Sequence, residues 1–295
     1  MIEDMMLTML WILSFLPRKW LSRCVGFLMH VQLPPFLADF SIKIFAWYYE
    51  INTAEAQKNL TQYLSIGDFF SRKLKEGARP ISEAWAVHPA DSQILQCGRI
   101  SKNTLIQAKG RKFDLVQLTE DPDAEEKYDE GYFITYYLCP TDYHRVHSPV
   151  SGFVKSVMYR NGDLWPVNKS SVSLIKNLYI QNERLMGEIA TEYGAVGVVM
   201  VGATNVGSMT LAFDKKVRTN RFSRSKRLVY KIPIEIKKGD EFGTFHMGST
   251  VIVLYGKEFR EKFQSQLILA NAVRVGQPLT GVPEKNTQLT QSLES

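Results

Sequence analysis

The chain is poor in cysteine: its 295 residues hold three, Cys24, Cys97 and Cys139, which form no C-x-x-C pair. That spacing excludes a zinc ribbon and a disulfide framework and fits a reducing compartment. The N-terminus lacks a membrane-spanning run. Residues 5–16 supply twelve mostly apolar positions, where about 20 are needed to cross a bilayer. It also lacks the features of a secretory signal, since Glu3 and Asp4 stand where such a signal is basic and no small-residue cleavage site follows. The chain is therefore expected to stay on the side where it is made. No fixed-period repeat is visible, and the G-x-S-x-G elbow of the α/β-hydrolases is missing.

What is present is ordinary globular material, 45% hydrophobic and 22% charged. The net charge of +6 favours an anionic partner, be it nucleic acid, acidic phospholipid or a small acid. Lys215 to Lys238 is strongly basic, and its sparse aromatics argue against a single-stranded nucleic-acid platform. Two apolar segments, Trp20 to Leu33 and Ala38 to Ile51, flank Pro34-Pro35. Their tryptophans and cations suit helices lying in a membrane interface, and their helical spacing suits equally a layer packed on the protein's own core. Ser65 to Ile81 reads as a short helix with a basic end, closed by Gly77 and Pro80 and leading into the β-rich part.

From about residue 86 the texture changes to short β-rich runs at Ser92 to Leu95, Thr104 to Ala108, Tyr132 to Leu138, Gly152 to Met158, Val196 to Val201, Ser208 to Phe213, Val229 to Pro233 and Val251 to Tyr255. The fold class expected is α+β, a mainly antiparallel β core with N-terminal amphipathic helices. Three regions follow: an N-terminal amphipathic helical region over 1–64, for which the resemblance given below implies membrane association, a β-rich domain over 65–278, to which it assigns catalysis, and a polar tail over 279–295 expected to be disordered.

Three stretches carry candidate chemistry. In Phe245-His246-Met247-Gly248-Ser249-Thr250 a Gly-Ser-Thr triplet abuts a β-branched run, at a loop-to-strand junction where glycine leaves the backbone accessible. His88-Pro89-Ala90-Asp91-Ser92 places Asp91 after a turn and before a strand, a position that also suits a turn cap. Tyr143-His144-Arg145-Val146-His147 holds two of the five histidines, with no third ligand at a spacing that would favour zinc. Asp91, His147 and Ser249 are the residue types of an activated hydroxyl nucleophile: a carboxylate orients an imidazole, which deprotonates the serine.

These stretches, with Asp68-Phe69-Phe70 through Arg79-Pro80-Ile81, Gly162-Asp163-Leu164-Trp165-Pro166-Val167-Asn168, Asn182-Glu183-Arg184 and Val201 to Ser208, resemble in order the pyruvoyl-dependent, membrane-associated bacterial phosphatidylserine decarboxylases. The resemblance runs from about Ser65 to Gln277. Met247, where the family usually has Leu, and Ser92, where it usually has Gly, depart from the pattern without removing a reacting group.

The resemblance implies a proenzyme in which His147, oriented by Asp91, activates Ser249 against the Gly248 carbonyl. A β chain would then end at Gly248, and an α chain would start at Ser249, converted to a covalent pyruvoyl cofactor. Phosphatidylserine would be decarboxylated to phosphatidylethanolamine through a Schiff base, with His144 the first candidate to reprotonate the product. It further implies no metal and no nucleic acid, peripheral attachment to the cytoplasmic face of the inner membrane with Arg218 to Arg227 attracted to an anionic leaflet, and a homodimer. Two rivals predict different matter: a serine hydrolase or autoprotease keeps Ser249 as a side chain, and a lipid-binding module needs none of Asp91, His147 and Ser249.

Overall fold

The computed structural model describes residues 18–108, 111–204, 208–219, 225–246, 249–259 and 270–280. Its helices are α1 (Arg18–His30), α2 (Pro35–Tyr48), α3 (Ile66–Phe70), α4 (Leu115–Thr119), α5 (Ala124–Tyr128), α6 (Lys169–Leu174) and α7 (Leu178–Gln181). Its strands are β1 (Ser92–Arg99), β2 (Thr104–Ala108), β3 (Arg111–Asp114), β4 (Tyr132–Leu138), β5 (Arg145–His147), β6 (Gly152–Arg160), β7 (Arg184–Thr191), β8 (Gly194–Gly202), β9 (Met209–Leu211), β10 (Lys226–Ile236), β11 (Glu241–Phe245), β12 (Ser249–Tyr255) and β13 (Ala272–Val273). The fold is α+β. An eight-stranded antiparallel sheet runs in the order β10-β6-β7-β8-β12-β4-β1-β13, beside a three-stranded sheet β5-β11-β9 and the hairpin β2-β3.

The run Ser249-Thr250-Val251-Ile252-Val253-Leu254-Tyr255 forms a central strand, buried at every position. A continuous apolar strand of that kind needs cover on both faces of its sheet. Residues directly opposite in a ladder share a face, so register sorts the two sides. On one side the small sheet packs down: Phe242 lies 2.5 Å from where a Cβ on Gly187 would be, and Met200 Sδ lies 2.9 Å from the Cβ position of Gly243. Gly187 pairs with Val198; Val253, Val251 and Ser249 pair with Val198, Met200 and Gly202. The Ser249 side chain therefore points to the face that carries β5, β11 and β9. Tyr128 of α5 covers the opposite face, its hydroxyl 3.1 Å from the Cβ position of Gly197.

β7 illustrates where apolar patterning misleads. Arg184 and Glu188 interrupt its run, and the fold buries both with partners: Arg184 Nε donates to the Leu118 carbonyl at 2.6 Å, and Lys127 donates to Glu188 at 2.7 Å. The expected strand Val229 to Pro233 differs too. Pairing with β6 jumps between Val229 and Ile234, so the chain bulges out there at an edge where Pro233 has no N–H to offer a ladder. The helix expected to carry a basic end stops at Phe70. Beyond it the backbone of 73–75 turns instead to 55–57, Gln57 N–H donating to Lys73 at 2.8 Å and Lys75 N–H to Glu55 at 2.9 Å.

The N-terminal layer has two faces, and only one of them packs on the protein's own core. Ala38, Ile42 and Ala46, one helical stripe of α2, are buried against Tyr63 and Phe69. The other stripe is bare: Phe36, Phe40, Trp47 and Tyr48 are exposed, as are Trp20 and Phe27 of α1. Inside, α1 anchors through Arg18 to Asp163, Nε to Oδ1 2.9 Å, and through His30, whose ring sits where a Cβ on Gly67 would be, within 2.7 Å. No described helix is long and apolar enough to cross a membrane. Residues 1–17, the expected tail over 281–295, and Arg221 and Arg224 of the basic stretch lie outside the described residues.

Candidate active site

Ser249 opens β12 between Leu138 of β4 and Gly202 of β8. It is fully buried, and its Oγ has no hydrogen-bond partner among the described residues. A buried hydroxyl left unbonded costs about 1–3 kcal/mol, so the Ser249 Oγ adds nothing to stability and is free of any described partner that would compete for it. Met247 and Gly248 lie outside the described residues. The chain before them is pinned: Phe245 N–H donates to the His144 carbonyl at 3.0 Å, and His246 N–H to Ser208 at 2.9 Å.

Both histidines singled out in the sequence lie on or beside β5, on the sheet that faces Ser249. His144 is fully buried, stacked on Phe70 with ring centroids 4.0 Å apart. Its Nδ1–H donates to the Asp142 carbonyl at 2.9 Å, which leaves Nε2 as a lone pair with no partner. Burial, with a contribution from the nearby Arg72 cation, pushes its pKa down to about 3. His147 has the same tautomer. Its Nδ1–H donates to the Gly239 carbonyl at 2.7 Å, and its Nε2 accepts from the Tyr143 hydroxyl at 3.2 Å. Burial lowers its pKa as well, opposed by the Gly239 contact and by the charges of Glu241 and Asp91. Both imidazoles are thus neutral at pH 7, and His147 is the better base, because negative charge stands ready to support its imidazolium.

Asp91 lies close by but its hydrogen bonds go elsewhere. Arg79 grips both carboxylate oxygens, Nε at 3.0 Å from each and Nη2 at 2.6 Å from Oδ2, and the Val275 N–H donates at 2.9 Å. The backbone N–H of His147 donates to Pro89, two residues before Asp91, at 2.8 Å. Among the described residues no hydrogen bond joins Asp91 to His147 or either of them to Ser249; the residue that orients the His147 ring is Gly239. That glycine has φ +87, and Ile81 occupies the space of its missing Cβ at 2.7 Å, so only glycine presents its carbonyl there without strain.

Arg79, Tyr143 and Gly239 were not singled out by pattern. Arg79 and Tyr143 do fall inside motif segments, whereas Gly239 sits in an ordinary turn. Cys139 is half-buried, and burial followed by the charge of Asp142 pushes its thiol up to about 11, so it is no nucleophile at neutral pH. Among the described residues no group of three or more His, Cys, Asp or Glu could hold a metal ion.

Comparison with known proteins adds to this geometry. A sequence model described as phosphatidylserine decarboxylase matches residues 66–281. A phosphatidylserine decarboxylase proenzyme of Anaeromyxobacter sp. (strain K) is 37% identical over 273 residues, covering 91% of this chain and 96% of that protein. The proenzyme of the same name from Methylobacillus flagellatus is 37% identical over 266 residues, 89% of this chain and 95% of its own length. That of Shewanella sediminis is 34% identical over 281 residues, with 91% and 96% covered.

Proposed function

The chain belongs to the phosphatidylserine decarboxylase family, a family of carboxy-lyases, and on that premise we propose that it is made as a proenzyme that cuts itself between Gly248 and Ser249. The observation that carries this reading is the Ser249 hydroxyl, buried, unpartnered and facing the sheet that bears both histidines. His147 takes the hydroxyl proton on Nε2, displacing the Tyr143 hydroxyl, while Gly239 holds its other nitrogen. Asp91 supports the resulting imidazolium by its charge, and Arg79 holds its carboxylate in place.

The freed Oγ attacks the Gly248 carbonyl carbon and turns the peptide bond into an ester. Loss of the Ser249 Cα proton then expels Gly248 as a carboxylate and leaves dehydroalanine. Addition of water and loss of ammonia make the pyruvoyl group at position 249. A pyruvoyl group there supplies the electron sink that decarboxylation of an amino acid headgroup needs. The residues around Ser249 fit it: the site is buried, and Nε2 of His144 offers a proton-transfer atom without a competing partner among the described residues. That nitrogen carries no proton at neutral pH, so in this role it first takes one from the substrate ammonium as the amine condenses and then hands it to the product carbon.

Release of carbon dioxide from carboxyl-labelled phosphatidylserine tests the activity. The purified protein is expected to release it in step with formation of phosphatidylethanolamine; label retained in the lipid by fully mature protein contradicts the reading.

The same reading divides the chain into a membrane-docking layer over 1–64, a catalytic unit over 65–278 and a tail over 279–295, working as a peripheral homodimer at the cytoplasmic face of the inner membrane. Nine of the fourteen exposed large hydrophobic residues lie on α1 and α2, which supports docking by that layer. The basic stretch contributes less than its composition suggests, since Arg227 is paired with Asp121 at 3.0 Å and Arg218 donates to Ser208 at 3.2 Å. Replacing Phe40 and Trp47 together by Ser is expected to lower partition onto anionic vesicles about tenfold or more, given about 1.5–3 kcal/mol per large side chain buried. Unchanged co-sedimentation moves the docking surface elsewhere.

A further inference from the structure

Among the guanidinium groups around the site, Arg72 stands apart. It follows α3 and is 4% exposed, yet its enclosed Nε and Nη1 have no hydrogen-bond partner among the described residues. Its Nη2 reaches only the carbonyls of Thr141 and Asp142, both at 3.5 Å. Asp91 and Glu55 lend it negative charge from a distance and Phe69 lies under it at 5.2 Å, but no carboxylate among the described residues forms an ion pair with it, and a buried cation left without a direct partner is costly unless an anion arrives later. Its neighbours are already satisfied: Arg79 is held by Asp91 and Glu55, and Arg145 by Glu241 at 2.6 Å and the Ser71 carbonyl at 2.8 Å.

Arg72 lines a cavity of about 410 Å³ that it shares with Asp91, Tyr143, Asp142 and Cys139. Cys139 follows Leu138, the direct ladder partner of Ser249, so the cavity reaches the end of the sheet where the reacting residue sits. The floor is mixed in charge, with Asp142 and Glu50 also facing it. That suits a headgroup that carries charges of both signs, not a simple anion.

We propose that Arg72 anchors the phosphodiester of the lipid headgroup in this cavity, setting the distance between the headgroup and position 249. The inference rests on the decarboxylase reading above. A lipid serine headgroup carries two anions, and the chemistry chooses between them. The carboxylate loses its charge as carbon dioxide departs, so a guanidinium fixed on it stabilises the ground state and slows the reaction. The phosphodiester keeps its charge throughout, so binding it positions the substrate without opposing the step. Both two-pronged edges of a guanidinium include Nη2, and in Arg72 that nitrogen is held only by two carbonyls at 3.5 Å, so a phosphate that displaces them meets a planar fork suited to two of its oxygens.

The test compares mature wild-type, Arg72→Gln and Arg72→Lys proteins on phosphatidylserine in mixed micelles, with maturation confirmed by intact mass. Loss of a charge-assisted pair predicts that Arg72→Gln raises KM about 10–100-fold while kcat falls much less, with Arg72→Lys between. Two competitors that cannot condense with a carbonyl separate the anions. Glycerophosphocholine, which has a phosphodiester and no carboxylate, is expected to inhibit wild type and to lose its effect on Arg72→Gln. N-acetylserine, which has a carboxylate and no phosphate, is expected to act equally on both.

A fall in kcat at unchanged KM overturns the proposal. So does selective loss of N-acetylserine inhibition, a wild-type enzyme indifferent to glycerophosphocholine, or failure of both variants to mature. Should wild type itself neither mature nor decarboxylate, the failure belongs to the decarboxylase reading.

Discussion

Ser249→Ala is expected to remain a single chain of 33.7 kDa and to release no carbon dioxide from phosphatidylserine. The variant removes the oxygen proposed to attack the Gly248 carbonyl and, with it, an atom that the proposed conversion to a pyruvoyl group requires. Folding offers no competing explanation. The Ser249 hydroxyl is buried and makes no hydrogen bond to any described residue, so its loss removes an unsatisfied polar group, and stability is expected to stay within about 1 kcal/mol of wild type or to rise. A melting temperature at or above that of the unmatured wild-type chain, together with an intact mass, checks both halves. Activity in Ser249→Ala would remove the serine from the chemistry altogether.

His147→Ala is expected to slow maturation by about 10²–10⁴-fold, the usual worth of a positioned general base, whereas His144→Ala is expected to mature and then fail in decarboxylation. The assignment turns on basicity. β11 pairs Glu241 with His147, while His144 lies opposite Phe245, four residues before Ser249, so chain proximity alone favours His144. Its pKa of about 3 makes it a poor base, and the negative charges near His147 make that residue the better one.

The pH profile follows with its sign. The base works when neutral, and burial holds the pKa of His147 below the ordinary value. The maturation rate should therefore be level from pH 8 down through about 6.5, the ordinary histidine value, and fall only below it. Maturation of His147→Ala at the wild-type rate, with His144→Ala arrested, would exchange the two roles.

The central strand and the candidate residues were legible because each rests on local information. Val251 to Tyr255 is an unbroken β-branched and apolar run, and Ser249 abuts it. The helical layer was legible as helices and ambiguous in purpose, since its two stripes, Ala38, Ile42 and Ala46 inside and Phe36, Phe40 and Trp47 outside, serve different surroundings.

What escaped the sequence is long-range. The carbonyl that orients His147 belongs to Gly239, 92 residues away, and the cation that holds Asp91 comes from a turn after α3 whose basic character suggested a helix end. The expected carboxylate-to-imidazole hydrogen bond gives way to a charge effect at short range. No periodicity encodes such a choice, because it depends on which of two acceptors the register of β5 on β11 brings to the ring. β7 escaped for a related reason: a charged residue in a strand reads as exposed unless its buried partner is known.

The intact mass of the purified wild-type protein bears most directly on the proposed conversion of Ser249. Two chains are predicted, one ending at Gly248 and one comprising residues 249–295, the smaller lighter by the mass of one ammonia than a chain beginning with an unmodified serine and blocked to Edman degradation. A single unprocessed chain that reacts with serine-directed phosphonates at Ser249, or a cleaved chain that begins with a free serine, would contradict it.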